Sequence, residues 1–111
     1  MADFKTTNLS LMATTTGYTQ LIEAPPSGEF VIEDGGIVIE NTTTTDHTFT
    51  MEVRKGSVSV RLFQNTIQGK ETFIWNRIIR IPSDFTGIFA KTTAAPATAP
   101  EFYYTGILNS G

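Results

Sequence analysis

The stretch TFTMEVRKGSVSVRL, residues 48–62, decides the fold class. Apolar and polar side chains alternate on both sides of a turn at residues 55–57: Phe49, Met51 and Val53 precede it, and Val58, Val60 and Leu62 follow it. Successive side chains of a strand point to opposite faces, so this alternation is typical of strands with one buried face. The stretch therefore predicts an antiparallel hairpin that packs one face on a core.

The composition extends this prediction to the whole chain. Threonine occurs 19 times, isoleucine 11 times and valine five times among 111 residues, whereas leucine occurs only five times. β-Branched side chains lose rotamer freedom in helices and pack well on pleated sheets. Eight phenylalanines, three tyrosines and one tryptophan favour the same structure. We expect a single all-β domain.

Charge and cysteine content exclude several classes of function. The chain has no cysteine, so disulfides and thiolate metal sites are excluded, and its single histidine, His47, excludes multi-histidine metal sites. The net charge of −3 argues against binding to nucleic-acid phosphates. No apolar run approaches the length that spans a membrane. We therefore expect no cofactor, no metal, no nucleic-acid partner and no membrane partner.

Further strands follow from the remaining apolar stretches. Residues 29–33 and 37–41 flank Asp34-Gly35-Gly36, which predicts two strands joined by a tight hairpin turn. Other strands are expected along the chain at residues 18–24, 72–75, 77–81, 87–92 and 102–108. Seven to nine short strands at this spacing predict a single antiparallel β-sandwich, either jelly-roll or Ig-like.

Two polar segments stand apart from these strands. Residues 1–16 predict either an N-terminal arm that docks on a neighbour or an edge strand, because Leu9 and Leu11 alternate with Ser10. Residues 17–111 form the sandwich domain. Within it, residues 92–100 contain only threonine, alanine and proline, so we expect an extended loop there.

The same patterns give candidate core and contact residues. The core is predicted from the inward faces of the clearest strands: Phe49, Met51, Val53, Val58, Val60, Leu62, Ile79 and Ile81. Contacts to partner subunits are predicted from apolar residues in the polar segments and the last strand: Phe4, Leu9, Leu11, Met12, Pro96, Pro100, Tyr103 and Tyr104.

No constellation of residues points to catalysis. His47 follows Asp46, but neighbouring strand residues face opposite ways, and no serine lies in a nucleophile turn. The available carboxylates are those of Glu33, Asp34, Glu40 and Glu52, which are typical of turns and solvent-facing strand positions. A calcium site at the Asp34 turn and a small hydrolase are the alternatives. We expect no enzyme.

Basic and aromatic side chains leave a binding role open. The basic residues Arg54, Lys55, Arg61, Arg77 and Arg80 form either a solvated face or a contact to an acidic partner surface. Trp75 together with the Tyr103/Tyr104 strand could stack on sugars, although a tryptophan in so small a domain is more often part of the core.

The chain also resembles a group of virus proteins. The segments GGIVIENTTTTDHTFTMEVRKGSVSVRLF (35–63) and ETFIWNRIIRIPSDFTGIFAKTT (71–93) resemble the layout of small all-β virion structural proteins of tailed bacteriophages. That layout is a strand ending in Asn-Thr, a polar loop, an alternating strand pair, and an apolar strand running into a proline-containing turn. The chain departs from it in its Ile-Pro-Ser-Asp turn and its TTAAPATAP loop.

This resemblance implies a non-enzymatic β-sandwich that assembles in several copies on the phage particle, as a head decoration or a neck/collar component. The implied partners are further copies of the chain and other virion proteins, such as the major capsid, portal/connector or tail proteins. The implied location is the virion, assembled in the host cytoplasm. The alternative is a glycan- or host-surface-binding module of the tail.

Overall fold

The computed structural model describes residues 4–109, with side chains from Thr7 onward. It confirms the all-β prediction, with antiparallel strands in two sheets. The strands are β1 (Phe4–Leu11), β2 (Thr19–Glu23), β3 (Glu29–Glu40), β4 (His47–Lys55), β5 (Val58–Ile67), β6 (Thr72–Trp75), β7 (Ile79–Pro82), β8 (Gly87–Thr92) and β9 (Glu101–Asn109). Within the described residues there is no helix that could cross a membrane.

The two sheets have the strand order of a jelly roll. One sheet runs β1-β9-β3, and β3 then pairs with both β6 and β7; the other runs β2-β8-β4-β5. If β6 and β7 count as one strand, both sheets alternate between the two halves of the chain, which is the arrangement produced by two Greek keys. The jelly-roll alternative is therefore the one that the topology shows.

The segment Asp34-Gly35-Gly36 is a bulge inside β3, so the predicted hairpin is wrong. Against β9, Ile32 pairs with Gly106 and Ile37 with Tyr104, which leaves residues 33–36 opposite a single residue. An odd number of extra residues reverses the facing of a strand, so both isoleucines point into the core. The bulge also divides β3, whose first half pairs with β7 and whose second half pairs with β6.

The bulge needs its glycines. Gly35 has a positive φ of 74°, which L-amino acids with a side chain rarely adopt. A Cβ on Gly36 would lie 2.6 Å from the carbonyl oxygen of Thr105 on the neighbouring strand. The sequence signal that usually marks a tight turn thus marks an irregularity within one continuous strand.

The core fills the space between the sheets. From one sheet come Ile32, Ile37, Ile39, Ile81 and Phe102; from the other come Phe49, Met51, Ile88 and Ala90, all fully buried. Among the predicted core residues, Ile79 is buried as well, and Val53 and Leu62 pack against the core while half-buried.

Val58 and Val60 do not belong to the core, contrary to prediction. They are 60% and 54% exposed. Both lie near the turn end of β5, which is the edge of its sheet, and Val60 pairs with Val53. A small apolar cavity lies beside Val58 and Val60. It is lined by residues of the β4–β5 hairpin and by Phe85. The alternation identifies the correct face of the strand, but no strand of the other sheet covers that face.

A buried asparagine closes one end of the sandwich. The Asn41 side-chain nitrogen donates to the carbonyl oxygens of Thr45 and Ile67, both at 2.9 Å, and its side-chain oxygen accepts from the hydroxyl of Thr43 at 2.7 Å. These bonds join the polar loop after β3 to the end of β5. Asn41, which the sequence predicts as the last residue of a strand, therefore has a structural role.

Two glycine substitutions test the packing of this fold. Gly87 has φ 143°, and a Cβ there would overlap the carbonyl oxygen of Ile22 on β2, so Gly87→Ala is expected to lower the free energy of unfolding by at least about 3 kcal/mol. Gly56, with φ 58° and no atom near its missing Cβ, is the matched control, and Gly56→Ala is expected to cost about 1–2 kcal/mol. Urea unfolding measures both. Equal losses would contradict the close approach of β2 to β8.

Candidate functional site

The exposed large apolar side chains lie along the edges of the sheets. Within the described part of the chain these are Leu9 (53% exposed) and Leu11 (58%) on β1, Val58 and Val60 on β5, Ile74 (52%) on β6 and Ile78 (65%), which follows β6. β1, β5 and β6 are edge strands, β7 shares the edge of β6, and the remaining edge strand, β2, carries none of these residues. Apolar exposure is therefore confined to three of the four edges.

An open groove lies between two of these edges. It has a volume of about 620 Å³ and lies where β5 of one sheet faces β6 and β7 of the other. We call it the arginine groove, and its lining residues are Arg61, Leu62, Phe63, Trp75, Arg77, Ile78, Ile79 and Arg80. Five of its eight lining residues are apolar or aromatic, and the other three are arginines.

Aromatic packing fixes the floor of the arginine groove. The Phe63 ring lies 5.1 Å from the Phe73 ring and 6.3 Å from the Trp75 ring, measured between centroids. These contacts join β5 to β6 across the open side of the sandwich. Arg80 forms an ion pair with Glu29 at 2.6 Å, whereas no ion pair involves Arg61 or Arg77 among the described residues.

An apolar row also crosses the outer face of the five-stranded sheet. Leu9 pairs with Tyr103, Tyr103 with Val38, and Val38 with Ile74, so these four side chains share one face across four strands. A row of Leu11, Glu101, Glu40 and Thr72 lies beside it on the same face. The Tyr103 hydroxyl donates to the Glu101 carboxylate at 2.9 Å, and this hydrogen bond raises the pKa of Tyr103.

The outer face of the other sheet holds a charged cluster. The Arg54 guanidinium lies 3.9 Å from the centroid of the Phe89 ring and 4.8 Å from that of the Tyr18 ring, and Lys91 lies 4.7 Å from Tyr18. Arg54 also forms an ion pair with Glu52. Both aromatic faces are thus in contact with cations.

Glu52 is the centre of that cluster. Its burial raises the pKa of the carboxyl group, but hydrogen bonds from Arg54, Tyr18 and Ser59 outweigh burial and lower it. Burial and the hydrogen bond to Glu52 raise the pKa of Tyr18. Glu52, Arg54, Tyr18 and Ser59 thus form one hydrogen-bonded cluster.

The predicted contact residues divide between the surface and the interior. Residues 4–11 form the edge strand β1, which pairs with β9 along its whole length. Leu9 and Leu11 are exposed there. Tyr103 lies on the outer face, half-buried, and the side chain of Phe4 lies outside the described residues.

Four of the predicted contact residues pack against the chain itself. Met12 is buried, and its N–H donates to the carbonyl oxygen of Pro100 at 2.9 Å. Pro96 and Pro100 are also buried, so the segment 92–100 packs its prolines on its own domain rather than presenting them to a neighbour. Tyr104 faces the interior, where burial raises its pKa and Phe30 packs edge-on against its ring. Composition predicts that such a loop is irregular, but not that it lies against its own sheet.

The catalytic and sugar-stacking candidates do not converge. His47 is buried, with its Nε2 3.2 Å from the Thr45 hydroxyl, while the Asp46 carboxylate accepts the N–H of Gly69. The turn that suggested a calcium site at Asp34 is instead the β3 bulge. Trp75 pairs through Ile37 with Tyr104, on the face opposite to Tyr103, so Trp75 and Tyr103 cannot form one platform.

Comparisons with known proteins bear on the fold. The sequence matches no protein-family model and no curated protein sequence. Among solved structures, the chain is similar to the Bacillus endospore appendage protein that forms disulfide-linked pili, with a TM-score of 0.55, 11% identity, and coverage of 99% of this chain and 88% of that one. At this identity the likeness shows a shared fold.

Two further solved structures are less similar. The virus-like particle of the extra small virus of the prawn Macrobrachium rosenbergii gives a TM-score of 0.47 at 13% identity, covering 100% of this chain and 82% of that one. The CBM22-1 and GH10 modules of a Clostridium thermocellum xylanase bound to xylohexaose give 0.46 at 11%, covering 95% and 25%. The structural neighbours thus include pilus and virus-particle proteins as well as a carbohydrate-binding module.

The Glu52 cluster gives a pH-dependent prediction. Because the pKa of Glu52 is lowered on folding, its ionised carboxylate stabilises the fold above the unfolded-state value of 4.5, and this stability is lost as pH falls through the folded-state pKa. Glu52→Gln is therefore expected to be less stable than the wild type at pH 7, with a difference that shrinks in acid. Urea unfolding at pH 7 and at acidic pH measures this difference in the free energy of unfolding. Glu71→Gln, at an exposed carboxylate, is the control, and a difference independent of pH would contradict the assignment.

Proposed function

We propose that this protein is a non-enzymatic structural subunit that functions by assembling with copies of itself. The observation that carries the proposal is the position of its exposed apolar side chains, which lie on three sheet edges instead of being scattered. A sheet edge presents unpaired N–H and C=O groups, and burying apolar surface beside it favours pairing with another chain.

The composition of the edges supports this proposal. Proteins that remain monomeric protect edge strands with charged residues, prolines or very short strands. Here β5 is ten residues long, with Val58 and Val60 exposed, and β1 presents Leu9 and Leu11. The described side chains of β1 include no charged residue. Exposed apolar side chains thus lie on both edges, and Arg61 is the one charged residue of β5.

The particle that we propose is the virion of a tailed bacteriophage, with the protein as a head decoration or a neck/collar component assembled in the host cytoplasm. This finer assignment rests on the resemblance carried by residues 35–63 and 71–93. The corresponding partners are the major capsid, portal/connector or tail proteins. The subunit adds stability to the shell or ring by covering its own edges at subunit contacts.

A glycan- or host-surface-binding module is the second candidate. It is favoured by Trp75, which lines the arginine groove, since an aromatic side chain in a groove can stack on a sugar ring. Against it, the rings of Tyr18 and Phe89 on the other sheet are already in contact with Arg54. The two candidates differ in whether the isolated protein assembles.

Native mass tests the proposal. Light scattering on a sizing column is expected to give a native mass that is a multiple of the 12.2 kDa chain mass. This native mass is expected to rise with protein concentration. Val58→Ser with Val60→Ser is expected to weaken association about tenfold or more, because it removes apolar surface from an edge. Ala94→Ser with Ala95→Ser, at exposed loop positions, is the control.

A monomer at every concentration would contradict self-assembly. If the Trp75 emission of that monomer also shifted when oligosaccharides were added, the result would favour the glycan-binding candidate. Assembly that the valine substitutions leave unchanged would contradict the role of the β5 edge.

A further inference from the structure

The sandwich has two open sides with different strands. On one side β1 and β2 lie together, since the Ser10 hydroxyl on β1 donates to the Leu21 carbonyl on β2 at 3.3 Å. On the other side β5 lies against β6, as the contact between Phe63 and Phe73 shows. The sheet orders place these two sides at opposite ends of both sheets.

Charge is segregated between the two sides. Strands β5, β6 and β7 and the loop that joins β6 to β7 contain Arg61, Arg77 and Arg80 and no acidic residue. The described side chains of β1 and β2 contain no lysine or arginine, and Glu23 ends β2 in an exposed position. Glu101 lies beside Leu11 as its cross-strand partner. Three of the four arginines of an acidic chain thus lie on one open side, where Arg80 is paired with Glu29 and Arg61 lies opposite Glu52.

Apolar surface is complementary as well. The first side carries two exposed leucines at the β1 edge, on the outer face of the five-stranded sheet, which we call the leucine edge: Leu9 and Leu11, with Glu101 beside Leu11. Glu23 lines a small surface cavity with Asn8, whose side chain is on the opposite face of β1. The second side is concave, and its arginine groove contains apolar and aromatic side chains. One side therefore offers exposed leucines beside a carboxylate, and the other offers a groove in which apolar and aromatic side chains lie beside arginines.

We propose that the leucine edge of one copy docks in the arginine groove of the next. Resting on the self-assembly proposed above, this assigns the partner of each open side: a second copy of the chain, bound through its opposite side. Leu9 and Leu11 pack against the groove around Trp75 and Ile78, while Glu101 faces the groove's arginines. Tryptophan and arginine are the residues that most often dominate the energy of such contacts.

The contact is heterologous, because the two surfaces that meet are different. Each copy keeps one free leucine edge and one free arginine groove after pairing, so assembly continues in one direction. It gives a ring if the rotation between neighbours closes and a filament if it does not. A two-fold dimer through the groove side would place the arginines of two copies against each other.

Two variants that each remove one surface test this arrangement. Leu9→Lys with Leu11→Lys removes the leucine edge, replacing exposed apolar groups by cations that repel the arginines. Arg61→Gln with Arg77→Gln removes the charge match of the groove at exposed positions. Each variant alone is expected to be monomeric. Mixed in equal amounts they are expected to form a heterodimer of twice the chain mass, since each supplies the surface that the other lacks.

The controls separate this proposal from the broader one. Thr93→Lys with Ala95→Lys adds the same charge at exposed positions away from both surfaces and is expected to assemble like the wild type. Thermal unfolding confirms that all variants are folded. Sedimentation velocity measures the species.

The outcomes are distinct. A monomeric wild type would overturn self-assembly and this contact together. Three results would overturn the head-to-tail contact alone, given a wild type that assembles. These are that both variants assemble as well, that only one of them is disrupted, or that the mixture stays monomeric. Only monomeric variants that pair on mixing support it.

Discussion

The main-chain groups of edge strands are the constraint on which the behaviour of this protein depends. Two open sheets give four edges, and each edge has N–H and C=O groups without a partner strand. In this chain three of those edges also carry exposed leucine, valine or isoleucine side chains. The same jelly roll that buries its core efficiently therefore leaves surface that gains free energy when another chain covers it.

The interior is organised around β3. It is the longest strand, and it pairs with β9 on one side and with β6 and β7 on the other. Its bulge at residues 33–36 restores the inward facing of Ile37 after Ile32 and lets two short strands share one long partner. The open side beside β5 follows from this division of β3. The arginine groove lies where β6, β7 and their connecting loop face the β5 edge.

Local pattern predicted the strands well and their surroundings poorly. Alternation at 48–62 identified the β4–β5 hairpin, and composition identified the all-β class. The alternation could not show that Val58 and Val60 extend beyond the other sheet. It predicts which face of the strand a side chain is on, but not whether the other sheet covers that face. Asp34-Gly35-Gly36 has the composition of a tight hairpin turn. The residues before and after it both pair with β9, so β3 remains one continuous strand. The apolar row and the arginine groove join residues distant in sequence, so only the strand order could bring them together.

The central claim is that the sheet edges are covered when the protein assembles. Amide hydrogen exchange followed from dilute to concentrated protein tests it most directly, because exchange reports the hydrogen bonding of individual main-chain groups. The account predicts that amides of β1, β5 and β6 become slower to exchange as the native mass rises, while the loop at residues 13–18 does not change. A rise in mass with the edge amides still exchanging at their dilute rates would contradict it.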